Sequence, residues 1–189
     1  MVSSGAYIRA KGATGCMQRR AMNPVRDTTI LVLGGHEGWL ELPKHNYQLG
    51  EKVIARFRWG HNLKTDGLCS RDGLTAWVST ICDKQPCTLV SGDGSFYELS
   101  FVPTKIGYAE VIVQHKGVVS VLKDGRHVLG SRRENPDALE TLAFTQYAKS
   151  YVKIGDNATG DAKLCGGGLD LDLAPLDLDG IRAGHAACF

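Results

Sequence analysis

The sequence predicts a mainly β fold, an antiparallel β-sandwich with one flanking helix. Three observations predict it. Stretches of about eight residues alternate apolar and polar side chains with the period of a half-buried strand. Turn signals such as "SGDG" and "PTKIG" separate them, with no helical pattern in between. The chain also carries 23 glycines, which favours turns and strands over long helices.

Taken in order, residues 1–35 come first. "MVSSGAYIRAKGATGCMQRRAMNPVRD" has no apolar periodicity. An export signal needs a basic stretch, an apolar run and a small-x-small cleavage site. Arg19, Arg20 and Arg26 are followed by apolar residues only at Ile30 to Leu33, Asp27 interrupts the approach, and Leu33 stands where a small residue is wanted. Residues 1–35 are therefore expected to be disordered or a degenerate export segment.

Residues 36–155 carry the strands. "KVIARFRW" sets Val53, Ala55, Phe57 and Trp59 on one face and Arg56 and Arg58 on the other. "LTAWVSTI" sets Leu74, Ala76 and Val78 against Trp77 and Ile81, and "SFYELSFV" sets Tyr97, Leu99 and Phe101 against Glu98 and Ser100. "YAEVIVQH" and "VVSVLK" are β-branched runs separated by "KG", which predicts a turn between two strands. Strands at this spacing build a sandwich over 39–123.

A helix is then expected near 137–152. Asn135 suits an N-cap, Pro136 the first helical position, and Asp137 and Glu140 the positive end of the dipole. Leu139, Leu142, Ala143 and Tyr147 recur at helical spacing, and Gly155 can end the helix. Residues 156–168 read as a linker. Over 169–189, Leu169, Leu171 and Leu173 alternate with Asp170 and Asp172 like a first strand. A lone strand cannot bury its own face, so 169–189 either joins the sandwich or opens a second β-domain that appears truncated.

Lys and Arg number 22 against 20 for Asp and Glu, a balance that offers no basic footprint for nucleic acid. No apolar run approaches the length of a membrane span. GxSxG, HExxH and a phosphate-cradling loop are all missing, so an enzyme is not expected. The six cysteines, at 16, 69, 82, 87, 165 and 188, lack zinc-site spacing. Cys82 and Cys87 flank "DKQP" and could close a local disulfide in an oxidising compartment, but free thiols are the preferred reading.

"HEGWLELP", "WGHNLKTDG", "SFYELSFVPTKIGYAEVIVQHKG" and "FTQYAKSYVKIG" occur in this order. Together, over roughly residues 36–180, they resemble the periplasmic accessory proteins of nickel and cobalt transporters, a family counted as a domain of unknown function. The resemblance implies an immunoglobulin-like sandwich followed by a second β-domain. It also implies export to the periplasm or beyond, and metal binding beside the membrane components of an energy-coupling-factor type importer. The chain departs from that pattern in its poor export signal, its early end and its cysteines at 69, 82 and 87.

The resemblance also implies that cleavage before His36 makes this residue the mature N-terminus, whose amine and imidazole nitrogens chelate one ion. Such nitrogens suit nickel, cobalt or copper better than magnesium or calcium. Further ligands would come from His61, on a loop after the "RFRW" strand, and His115, read as the end of a strand beside a turn. Asp66 would serve as an optional oxygen ligand or as a partner orienting a ligating ring, though a plain turn role is its commoner use. Each of His61 and His115 is equally a candidate structural hydrogen-bonder. His45 and His127, beside Lys44 and Arg126, read as solvated surface, and His185 falls in the tail. The alternative is a sandwich module that binds a protein or carbohydrate partner, its histidines incidental.

Overall fold

The computed structural model describes residues 28–81, 83–158, 168–170 and 172. Eleven strands form two sheets: β1 (Glu37–Glu41), β2 (Asn46–Tyr47), β3 (Val53–His61), β4 (Lys64–Gly67), β5 (Leu74–Thr80), β6 (Lys84–Cys87), β7 (Leu89–Ser91), β8 (Tyr97–Phe101), β9 (Gly107–Leu122), β10 (His127–Leu129) and β11 (Ala138–Ile154). The first sheet runs β1-β3-β8-β7, with β4 paired to β3. The second runs β2-β11-β9-β5-β6, with β10 paired to β9. Lettered by chain order, these are the A-B-E-D and A′-G-F-C-C′ sheets of an immunoglobulin-like sandwich. The first strand divides between the sheets, and β2 pairs parallel to β11 while the other pairings are antiparallel.

The alternation legible in the sequence sets the core. Val53, Ala55, Phe57 and Trp59 of β3 meet Leu74, Ala76 and Val78 of β5, with Leu99 of β8 and Ala109, Val111 and Val113 of β9 filling the layer between. Each valine, leucine or phenylalanine among them contributes roughly 1.5–3 kcal/mol by leaving water, and each alanine less.

Three expectations are corrected. The helix over 137–152 is instead β11. Its residues pair with β9 from Ala138↔Leu122 to Ile154↔Gly107, with one register shift between Ala138 and Glu140. The physical reason lies in the spacing. Leu139, Ala143 and Tyr147 are four apart, and four is a whole number of periods on a strand as well as nearly one helical turn. On β11 these residues share the outward face, and Ala148, Val152 and Ile154 face the core. The β-branched and aromatic content of 141–152 suits a strand, and a long hydrogen-bonded ladder outweighs a weak local propensity. The capping signals serve a turn instead: Asn135 donates its amide to the Leu129 and Ser131 carbonyls at 3.1 and 3.3 Å.

The "KG" turn is also absent, because β9 runs unbroken through Lys116 and Gly117. Gly117 pairs with Phe144, and a Cβ there would stand 2.9 Å from the Phe144 ring. The glycine makes room for an aromatic ring lying across the strand.

The third correction concerns 28–35, the described part of the expected disordered segment. Thr29–Gly34 form a 3-10 turn. Thr28 binds the Leu68 carbonyl through both its amide and its hydroxyl, each at 3.0 Å. The Ser70 amide donates to the Thr29 hydroxyl at 2.6 Å. Thr28 and Thr29 are fully buried, so two side-chain anchors order a segment too short to show periodicity. Residues 1–27 lie outside the described residues, as do Cys16, Cys82, Cys165, Cys188, His185 and most of the expected 156–168 linker and 169–189 strand. Cys69 is buried; Cys87 is a half-buried free thiol, and burial raises its pKa.

Candidate metal-binding corner

The end of the sandwich at the last residues of β3 gathers three of the four expected site residues. His36 immediately precedes β1, His61 closes β3, and Asp66 lies in β4. The local fold explains how each is aimed. β3 and β4 are joined by Asn62 and Leu63, both left-handed, with φ of 52° and 58°. That is the geometry of a two-residue hairpin turn whose twist matches its strands. A leucine in this conformation costs about 1–2 kcal/mol, and its side chain remains exposed. Gly60 is required, because a Cβ there would sit 1.9 Å from the Lys64 carbonyl oxygen. The register then shifts: Trp59 pairs with Gly67, but Gly60 pairs with Thr65. Asp66 is the extra residue of this bulge, and bulges redirect the side chains they carry.

The redirected carboxylate meets His36. Asp66 Oδ2 lies 3.0 Å from His36 Nε2. The His36 ring stacks on His61, with centroids 5.9 Å apart and planes 29° apart, and leans on Trp59 at 5.8 Å. His61 Nδ1 lies 3.2 Å from the Gly35 carbonyl. A carbonyl only accepts, so this nitrogen is the donor and His61 Nε2 keeps its lone pair. His36 Nε2 lies within ion-pair distance of the Asp66 carboxylate, but both His36 ring nitrogens are buried and make no hydrogen bond among the described residues. Burial lowers the His36 pKa most; Asp66 opposes that shift and His61 adds to it. The His61 ring is thus held through Nδ1, and the His36 ring is placed by its ring neighbours and the nearby Asp66 carboxylate.

One part of the expected site, the place of His115, is corrected. In the uncleaved chain the His36 nitrogen is a peptide amide, donating to the Leu31 carbonyl at 3.2 Å. The chain enters this residue through the 28–35 turn, anchored by the buried Thr28 and Thr29, which the sequence did not reveal. His115 is not at a strand end; it lies inside β9, opposite Leu74 of β5 and Gln146 of β11. It is 2% exposed. Its ring meets Trp59 edge-on at 4.8 Å and Phe144 at 5.1 Å, and a Cβ on Gly73 would crowd it at 3.2 Å. The mistaken turn at "KG" is what made it look like an end. His115 belongs to the aromatic floor beneath the corner. Among the described residues, no group of three or more His, Cys, Asp or Glu side chains is arranged to hold a metal ion.

Sequence reasoning missed the supporting residues. Gln146 donates to the His36 carbonyl at 3.0 Å, fixing the backbone of the corner from the other sheet. Phe144 reaches His115 only because Gly117 stands opposite it. Reading 139–152 as a helix hid both. Trp39 lies on the outer face of the first sheet, its indole donating to Glu41 at 3.2 Å. His45 is exposed and His127 half-buried, away from the corner on β10. Among the described residues no helix is long and apolar enough to cross a membrane.

No protein-family model and no curated protein matches the chain. Among solved structures, it is similar to a DUF4785 family protein from Legionella pneumophila, at 7% identity and a TM-score of 0.40, covering 61% of this chain and 27% of that one. It is also similar to the Lin-41 filamin domain, at 12% identity and a TM-score of 0.34, covering 61% of this chain and 91% of that one. The chain thus spans about a quarter of the length of the Legionella protein.

Proposed function

We propose that the protein is a metal-binding sandwich module, an exported accessory component of nickel or cobalt uptake rather than an enzyme. One observation carries the metal-binding part: His36 and His61 stack beside a redirected Asp66, with His61 Nδ1 held by the Gly35 carbonyl and both His36 ring nitrogens buried without a hydrogen bond among the described residues. Acceptors that fix the tautomer in this way are the usual outer partners of ligating histidines. Imidazole nitrogens with a carboxylate suit nickel and cobalt. The half-buried His36 and exposed Asp66 make an open corner, in which remaining coordination positions would fall to water or to a recipient at the membrane. The transport role, the periplasmic or secreted location and the importer as partner rest on the ordered sequence segments that resemble the transporter accessory family.

Calorimetric titration with nickel and cobalt tests the reading. His36→Ala and His61→Ala should each weaken binding by about tenfold or more, with a smaller loss for Asp66→Asn. His115→Ala should instead lower the unfolding temperature while leaving affinity unchanged, because its ring packs on Trp59 and Phe144. Equal affinity in the wild type, His36→Ala and His61→Ala would remove the site.

A further inference from the structure

The outward face of the second sheet is polar in composition and yet buried. In β5, β9 and β11 the core takes Ala76, Val78, Val111, Val113, Ala148 and Val152, so Trp77, Glu110, Ile112 and Lys149 point the other way. An antiparallel sheet ordinarily gives that face to water. Here Trp77 is 8% exposed, Ile112 0%, Glu110 1% and Lys149 8%. Glu110 and Lys149 form an ion pair at 3.1 Å, and Glu110 Oε2 is buried without a hydrogen-bond partner among the described residues.

A segment of the same chain lies on this face. Tyr147 donates its hydroxyl to Asp170 Oδ2 at 3.1 Å, and Lys149 binds Asp172 as well as Glu110. Gln114 donates to the Tyr147 oxygen at 2.9 Å, which leaves the phenolic proton for the carboxylate. The match is one of pitch. Tyr147 and Lys149 are two residues apart on the outward side of β11, and Asp170 and Asp172 are two apart in the segment. Both pairs have the same sequence separation, 23 residues, so the segment runs parallel to β11 in register, read by side chains. The "LDLD" alternation, which has no partner strand of its own in the sequence, supplies carboxylates at the spacing the row requires.

We propose that the Tyr147–Lys149 row, floored by Ile112 and Trp77, is a docking surface for an extended segment with aspartates at alternate positions, and that Asp170 and Asp172 occupy it as an intramolecular strap. Tethering matters here. A short linker gives an effective concentration near millimolar, so a contact too weak to persist between separate molecules is filled within one. A partner segment with the same pattern binds by displacing the strap and uncovers the outward face when it does. This surface is independent of the histidine corner.

The test uses the full chain and a fluorescent peptide, Gly-Leu-Asp-Leu-Asp, copied from residues 168–172. With the strap disabled by Asp170→Asn and Asp172→Asn together, peptide affinity measured by anisotropy should rise about tenfold or more over the wild type, as tethered competition is lost. The peptide with both aspartates replaced by asparagine should not bind. Adding Tyr147→Phe, which keeps the ring, to the strap-disabled chain should weaken binding without unfolding the protein. Equal peptide affinity with and without the strap, or no discrimination between the two peptides, would overturn the proposal. So would a wild-type dimer that turns monomeric in the Asp170→Asn/Asp172→Asn chain, since the occupant would then be a second copy.

Discussion

The two faces of the second sheet both bury residues, but for different reasons. The inward face carries Ala109, Val111, Val113, Ala148, Val152 and Ile154 and is closed by the opposite sheet. The outward face carries Glu110, Ile112, Gln114, Tyr147 and Lys149, and Asp170 and Asp172 touch it from beyond β11. One face is held by removing apolar surface from water, a non-directional effect that tolerates side-chain adjustment. The other is held by charge and hydrogen-bond geometry, which has no such tolerance once desolvated. The difference teaches that burial alone does not identify a core.

The largest expected effect is on the inward side. Phe57→Ala deletes a fully buried ring from the layer between the sheets and should cost about 3–5 kcal/mol of unfolding free energy, measured by denaturant titration. A loss under about 1 kcal/mol would mean that this face is not the core it is taken to be.

Next comes the outward ion pair. Lys149→Met leaves Glu110 buried with its charge uncompensated and should cost about 3 kcal/mol, at the low end for breaking a buried pair because Asp172 retains contact with water. The double change Glu110→Leu with Lys149→Met removes both charges and should recover most of that loss. Equal instability in the single and double variants would show that the two charges do not depend on each other, and the contrast between the faces would disappear.

The smallest effect is a pH dependence in metal-free protein. Burial holds the His36 pKa below its usual 6.5, so the folded ring stays neutral where the unfolded one has begun to take up a proton. The unfolded state then binds more protons, and stability rises with pH. The His36 contribution should therefore be constant above the ordinary histidine range and decline as pH falls through it, until the folded ring also protonates. His36→Gln should flatten this slope in thermal denaturation profiled against pH in the presence of chelator. An unchanged slope would assign it to another group.

Much of the sandwich was legible because β3, β5 and β8 alternate cleanly, and period two has no helical equivalent over a whole strand. β11 was not, since Leu139, Ala143 and Tyr147 fit both periods and the turn before β11 uses the same residues as a helix cap. Its partner β9 was divided at Gly117 for a related reason: a glycine signals a turn locally, and only Phe144 on the neighbouring strand gives it another purpose. The candidate site was half legible. His61 and Asp66 could be placed on one loop, but the hairpin of β3 and β4, and the bulge that turns Asp66 toward His36, are matters of register between strands. His115 was misplaced through the same false turn.

The sequence by itself determined the fold class, the faces of the core strands and the presence of an acidic alternation, Asp170 and Asp172 between leucines. These follow from side-chain period, which is local. Tertiary structure alone decided that 138–154 is a strand, that 28–35 anchors the chain ahead of His36, and that His36 and Asp66 meet while His115 becomes floor. It also set Asp170 and Asp172 against Tyr147 and Lys149. Each of these depends on which distant residue supplies a hydrogen-bond partner or fills a gap, and that partner is fixed only when the two sheets and their register exist.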